Sequence, residues 1–327
     1  MSTWLLLVLG TLAGLHAATW GGFKDSPFEG FRPSSFVRSV ALAIACAVLV
    51  GMSGLVADPS DLLVALGVCY AGERLVTEWW KAILREDRQA AYSIPMRLAL
   101  RGRPVDARIP RYAVGVLVAG GLVAAFALAD QVEHGSAPLP WWARTAVAGI
   151  GGWLTAVGGA WKDAPVEGFE LAKFFRSPAV ATVWGVVLLP SSVSLSVLVV
   201  AAGGMSVLTI ETYKTFLAGG PPGKFAGKPA PYDVGAARTW CRRVHGSLYC
   251  VLVVALGTVA LHRAGAESTG SLAGRAAVLA VLVWASVWAA LVLAPPKSAT
   301  VEESCGPGPT VGPPRRLSDA DIRGASG

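Results

Sequence analysis

Charge is the first shortage. Lys, Arg, Asp and Glu make up 15% of the 327 residues, against about 25% in a soluble domain, which excludes an ordinary water-soluble globule. Only four histidines and five cysteines are present. An odd count spread over Cys46, Cys69, Cys241, Cys250 and Cys305 implies no disulfide framework. Cys241, His245 and Cys250 lack a second pair that would complete a metal-ligand set. Walker-A spacing is missing too, so Gly219 to Lys228 is a Gly-rich basic loop and not a P-loop. The first apolar run has no basic residues ahead of it, and Leu15-His16-Ala17-Ala18 belongs to a retained helix, not to a cleaved signal peptide.

Apolar sequence is abundant, at 54% hydrophobic residues with a mean hydropathy of +0.54. Nine segments are long enough to cross a bilayer, at roughly 2–20, 40–56, 62–80, 111–129, 141–158, 174–190, 193–210, 245–262 and 271–294. In lipid each must be an α-helix, because an open strand leaves its backbone polar groups unpaired. The expected fold is therefore an all-α, polytopic integral membrane protein with about nine transmembrane helices.

Basic residues cluster in two connections. Lys81, Arg85, Arg88, Arg97, Arg101, Arg103, Arg108 and Arg111 follow the third segment; Lys214, Lys224, Lys228, Arg238, Arg242 and Arg243 follow the seventh. The stretches near Asp58–Asp61 and Asp130–Pro140 hold acids and no Lys or Arg. The positive-inside rule then places the N-terminus outside the cell membrane and the C-terminus in the cytoplasm. Without a soluble module to carry it, this charge points to anionic lipid and not to nucleic acid.

One motif occurs twice. Lys24-Asp25-Ser26-Pro27-Phe28-Glu29-Gly30-Phe31 returns 138 positions later as Lys162-Asp163-Ala164-Pro165-Val166-Glu167-Gly168-Phe169, and Phe36, Arg38 and Ser39 return as Phe174, Arg176 and Ser177. Nine of the sixteen aligned positions are identical. At an offset of 133, Glu78, Trp80 and Lys81 match Glu211, Tyr213 and Lys214. The expected organisation is two parallel four-helix repeats, residues 1–135 and 136–264, then a ninth helix over 265–294 and a disordered cytoplasmic tail over 295–327. Gly and Pro in the motif predict a compact polar loop at the membrane face.

Each copy supplies a carboxylate pair (Asp25 and Glu29; Asp163 and Glu167), a lysine (Lys24; Lys162), an arginine (Arg38; Arg176) and a helix-end Glu and Lys (Glu78 and Lys81; Glu211 and Lys214). Mg²⁺ is held by one or two carboxylates plus substrate phosphates, with Lys and Arg neutralising the remaining charge. The expectation is a Mg-assisted transferase or synthase acting on a phosphate- or diphosphate-bearing lipid, or a nucleotide-type substrate, at the cytoplasmic leaflet. Asp25, Glu29, Asp163 and Glu167 are the candidate metal ligands. Glu78 and Glu211 join them as catalytic candidates, and Lys224 and Lys228 join the lysines and arginines as substrate ligands. His16, His134, His245 and His262 lie away from a cytoplasmic site, so none is an obvious general base. The competing functions are a permease with parallel repeats, for which Pro190, Gly203-Gly204 and Arg144 would mark broken helices, and a membrane scaffold docking a partner through its basic loops. In the competing structural role the motif only caps a tight corner.

Ser26-Pro27 and Glu29-Gly30 resemble elements of the CDP-diacylglycerol synthases, without the Lys and Thr that stand between them there. Nine helices with two acidic cytoplasmic motifs are similar to the ubiquinone-type prenyltransferases, whose Asn-Asp-x-x-Asp pattern is missing. Neither likeness covers enough of the chain to assign a family.

Overall fold

A computed structural model describes residues 1–58, 61–86, 97–135, 139–189, 191, 193–217, 225 and 229–266. Helices dominate: α1 (Thr3–Glu29), α2 (Pro33–Ser53), α3 (Leu62–Trp79), α4 (Arg108–Gly135), α5 (Trp141–Ala148), α6 (Ile150–Glu167), α7 (Leu171–Leu188), α8 (Leu195–Thr212) and α9 (Gly235–Ala266). Two-residue strands β1 (Ala99–Leu100) and β2 (Arg103–Pro104) pair antiparallel ahead of α4. Among the described residues five helices are long and apolar enough to cross a membrane: α1, α2, α4, α7 and α8, the last with its C-terminal extension to Phe216. The protein is thus a helical, membrane-associated chain. The ninth predicted segment and the tail lie outside the described residues.

The centre of the bundle is the pairing of α3 with α8, around which α1 and α2 gather on one side and α6 and α7 on the other; α9 packs on α1. In lipid, apolar transfer gives little drive for helices to associate, so close packing of small residues must do it. Glycine supplies the approach: a Cβ on Gly204 would lie 2.1 Å from the Gly67 carbonyl oxygen, and one on Gly151 would lie 2.2 Å from that of Val199.

The predicted fifth segment is two helices, α5 and α6, meeting at Gly149, whose N–H reaches the carbonyls of Thr145 and Ala146. Arg144, a candidate marker of a broken transport helix, instead bonds the Glu133 carboxylate and the Val193 carbonyl, the latter at 3.0 Å. Asp130 and Glu133 of α4 cap the start of α8, accepting from Ser196 N at 3.1 Å and Leu195 N at 2.6 Å. Acceptors at these orphan N–H groups, with negative charge at the positive end of a helix, fix where α8 begins.

The repeated motif departs from the expected loop. Lys24 to Glu29 continue α1 and Lys162 to Glu167 continue α6, with Pro27 and Pro165 inside the last turn. A proline there forfeits one i−4 bond, a loss the end of a helix tolerates. Both helices stop at a glycine of positive φ, Gly30 at 75° and Gly168 at 83°, whose N–H closes on Ser26 O and Ala164 O at 2.9 Å. Asp25 and Glu29, and likewise Asp163 and Glu167, are therefore i,i+4 neighbours on one helical face. At the same end of the bundle α3 and α8 finish in π-helical turns, Trp80–Leu84 and Tyr213–Leu217.

Candidate anion site at the end of the bundle

α3 carries its charge in its last two turns. Arg74 and Glu78 are four apart and Lys81 three further on, so one helical face presents all three. The Glu78 carboxylate accepts from Arg74 and Lys81, each at 2.7 Å. A third cation comes from the repeated motif of the other half: Lys162 Nζ donates to Glu78 Oε2 at 3.0 Å. Glu73, fully buried, accepts from Thr77 at 3.0 Å and lies 3.6 Å from Arg74.

The other half is arranged in the same crosswise sense. Glu211 on α8 is bonded by Lys214 at 3.4 Å, and the Lys24 charge on α1 acts on it through space. Lys24 also sits 3.8 Å over the Trp20 ring and 3.8 Å from Asp25. Arg74 lies 5.0 Å over the same Trp20, bridging the two groups.

The connections cross too. Trp161 Nε1 donates to Ala99 O at 2.9 Å, and a Cβ on Gly102 would lie 3.1 Å from Pro165, so the β1–β2 turn covers the second motif. Tyr232 N donates to Pro27 O at 3.3 Å and Phe225 stacks on Phe28 at 4.0 Å, so the segment before α9 covers the first. The lysine of the second motif thus bonds the glutamate of α3, and the lysine of the first acts on the glutamate of α8. Helix packing allows this, since α3 lies against α8 and both α1 and α6 also touch α8.

Arg38 stands 5.2 Å over Trp80, and Arg176 is half-buried on α7. Glu29 and Asp163 are half-buried, while Glu167 is exposed. Lys224 and Lys228 lie outside the described residues. Among the described residues no three His, Cys, Asp or Glu side chains converge as a metal site.

Next to α3 the following segment is latched by arginine. Arg111, fully buried, donates to Arg85 O at 3.1 Å and Glu86 at 2.7 Å, and Arg97 donates to Arg85 O at 3.2 Å and Asp106 at 2.7 Å. The Arg111 N–H holds the Glu86 carboxyl below its usual range.

A second polar group escaped sequence reasoning. Deeper in the bundle, His16 of α1 and His245 of α9 lie 4.4 Å apart between ring centroids. Thr212 Oγ1 meets His16 Nε2 at 2.9 Å, His245 Nε2 at 3.3 Å and the Tyr249 hydroxyl, while Thr19 Oγ1 meets His245 Nδ1 at 2.8 Å. The available signal was polar spacing, Thr19 three residues after His16 and Tyr249 four after His245, on otherwise apolar helices.

No protein-family model matches the chain, no curated protein is significantly similar to it, and no solved structure matches it; its own residues must carry the functional assignment.

Proposed function

We propose that the protein spans the cell membrane many times and acts as a transferase or synthase on a phosphate- or diphosphate-bearing lipid at the cytoplasmic leaflet. The observation that carries this is Glu78, one carboxylate at the end of the bundle bonded by Arg74, Lys81 and Lys162. Three cations converging on one small anion suit a phosphate, whose developing charge they would stabilise in a transfer reaction. In the same proposal residues 1–135 and 136–264 are parallel repeats, and the arginine-latched end faces the cytoplasm.

The residues fit Mg²⁺ only in its phosphate-sharing mode. Asp25 with Glu29, or Asp163 with Glu167, supplies two carboxylates on one helical face, and substrate oxygens and water would complete the shell. Bound there, the ion would neutralise a departing diphosphate. Lys162 and Lys81 would orient and hold the phosphate, and Glu78 would keep both lysines in place between turnovers.

A permease is the second proposal, favoured by the His16, His245, Thr212 and Tyr249 group, because ionisable residues buried inside a membrane bundle mark ion pathways. The test is thermal stability of the detergent-purified protein against prenyl diphosphates, phospholipids and nucleotides, with and without Mg²⁺. A ligand at ~100 times its Kd adds about 2.7 kcal/mol. Stabilisation lost in Lys162→Gln supports the phosphate site. No response to any phosphate compound, with substrate-driven pH change in proteoliposomes that needs His16, replaces it with the permease.

A further inference from the structure

At the edge of the charged cluster two guanidiniums address one indole. Arg38 of α2 lies 5.2 Å and Arg85 4.8 Å from the Trp80 ring centroid. Cation–π contact holds guanidiniums in place without cancelling their charge. Among the described residues Arg38, Arg85, Arg97, Arg108 and Arg111 gather here, with Asp106 engaged by Arg97 and Glu86 by Arg108 and Arg111. Glu73 and Glu78 act on Arg38 only through space, and Arg38 has no carboxylate in bonding range among the described residues. Its Nε is buried with no hydrogen-bond acceptor among the described residues. The matching residue of the second motif, Arg176, shows the same orphaned Nε. A buried guanidinium N–H without an acceptor is costly, so an anion brought to it is favoured.

We propose that Arg38, Trp80 and Arg85 form a phosphate subsite that takes the phosphate of an anionic head group. A guanidinium fork matches phosphate oxygens in pairs, and indole side chains settle at the depth where lipid phosphates lie. The second half carries Tyr213 in place of Trp80, so the subsite belongs to the first half. It shares the anion chemistry of the proposed function but requires neither a transfer reaction nor Mg²⁺.

The test is calorimetric titration of the detergent-purified chain with dioctanoyl phosphatidic acid, with dioctanoyl phosphatidylcholine as the zwitterionic control and inorganic pyrophosphate as competitor. Phosphatidic acid binds in preference to phosphatidylcholine, and Arg38→Gln weakens it roughly tenfold to a hundredfold, as losing a charge-assisted bond does. Arg38→Lys keeps the charge but not the fork and weakens it less. Trp80→Leu keeps every charge and still weakens binding; these two variants decide the matter if Arg38→Gln does not fold. Competition by pyrophosphate identifies the source as a substrate phosphate, and its absence as a lipid head group; both support the subsite. Equal affinity in the parent and both arginine variants overturns it. Ligand stabilisation that depends on Lys162 but not on Arg38 overturns the subsite alone and leaves the proposed function standing.

Discussion

Replacing Glu78 by Gln keeps the shape of the side chain and removes the one charge that three cations share. Arg74 and Lys81 are only 16% and 15% exposed, so each bond to them is worth about 1.5 kcal/mol. Lys162 at 30% and Glu78 itself at 38% are wetter, and their pair is discounted to about 1 kcal/mol. Glu78→Gln is thus expected to cost about 2–4 kcal/mol, or about 3–6 °C in melting temperature for a chain of 327 residues. Much of that cost is repulsion among cations left facing one another, so deleting one should give part of it back. Lys162→Gln alone should cost under about 1 kcal/mol, and Glu78→Gln with Lys162→Gln should cost about 1 kcal/mol less than the two singles together. The assay is equilibrium unfolding in mixed micelles followed by tryptophan fluorescence, with Lys162→Gln and Glu133→Gln, at opposite ends of the bundle, as the additive control. If the Glu78 and Lys162 variants add to within about 0.5 kcal/mol, the crosswise pair makes no energetic contribution and the central feature of the proposed site is wrong.

Gly204→Val should destabilise by about 1–3 kcal/mol or more, because its Cβ meets the Gly67 carbonyl at 2.1 Å, whereas Gly120→Val, with open space around it, should be tolerated in the same unfolding assay. Thr212→Val removes the hydroxyl shared by His16, His245 and Tyr249 and should cost about 2–4 kcal/mol, with unfolding midpoints at neutral pH as the check. Glu86 has a depressed folded pKa, so its contribution is present above the unfolded value of about 4.3 and is lost as pH falls through the lower folded value. Tryptic cleavage of the segment after α3 should rise over that acid range in the parent, while Glu86→Gln should be cleaved readily at every pH.

The helical, membrane-associated character was legible because long apolar runs force it, with five such helices among the described residues where nine spans were expected, and the repeated motif because identical charges in an apolar chain stand out. Its conformation was not. Pro27 and Gly30 read as loop residues, yet the helix ends only where Gly30 takes a positive φ, and the proline before it costs one bond in a turn that is ending anyway. Gly149 likewise split a segment that hydropathy reads as continuous. Crosswise pairing was beyond reach for a different reason. Lys162 and Glu78 are 84 residues apart, and spacing carries no information on which half a helix end will meet. The histidines were missed because a lone His on an apolar helix looks like core until α9 is placed against α1.

The crosswise arrangement also separates the two halves in what they are able to do. The features present once lie on the α3 side: Glu73 and Arg74, matched by Ser206 and Val207, and Trp80, matched by Tyr213. Arg74 adds a half-buried cation to the group that Lys162 enters, so that group has three donors on its carboxylate, where Glu211 has the Lys214 bond at 3.4 Å and the through-space charge of Lys24. An anion displacing Glu78 gains a preassembled set of cations; one displacing Glu211 gains a looser pair. Lys162→Gln should therefore weaken binding of a phosphate lipid at least tenfold, and Lys24→Gln, the same change at the matching position, by less than about threefold, since each lost charge-assisted bond is worth roughly 1.5 kcal/mol only where the donors are already ordered. Equal losses in titrations of the two variants would mean that both halves bind alike, and that the residues unique to α3 serve packing rather than the ligand.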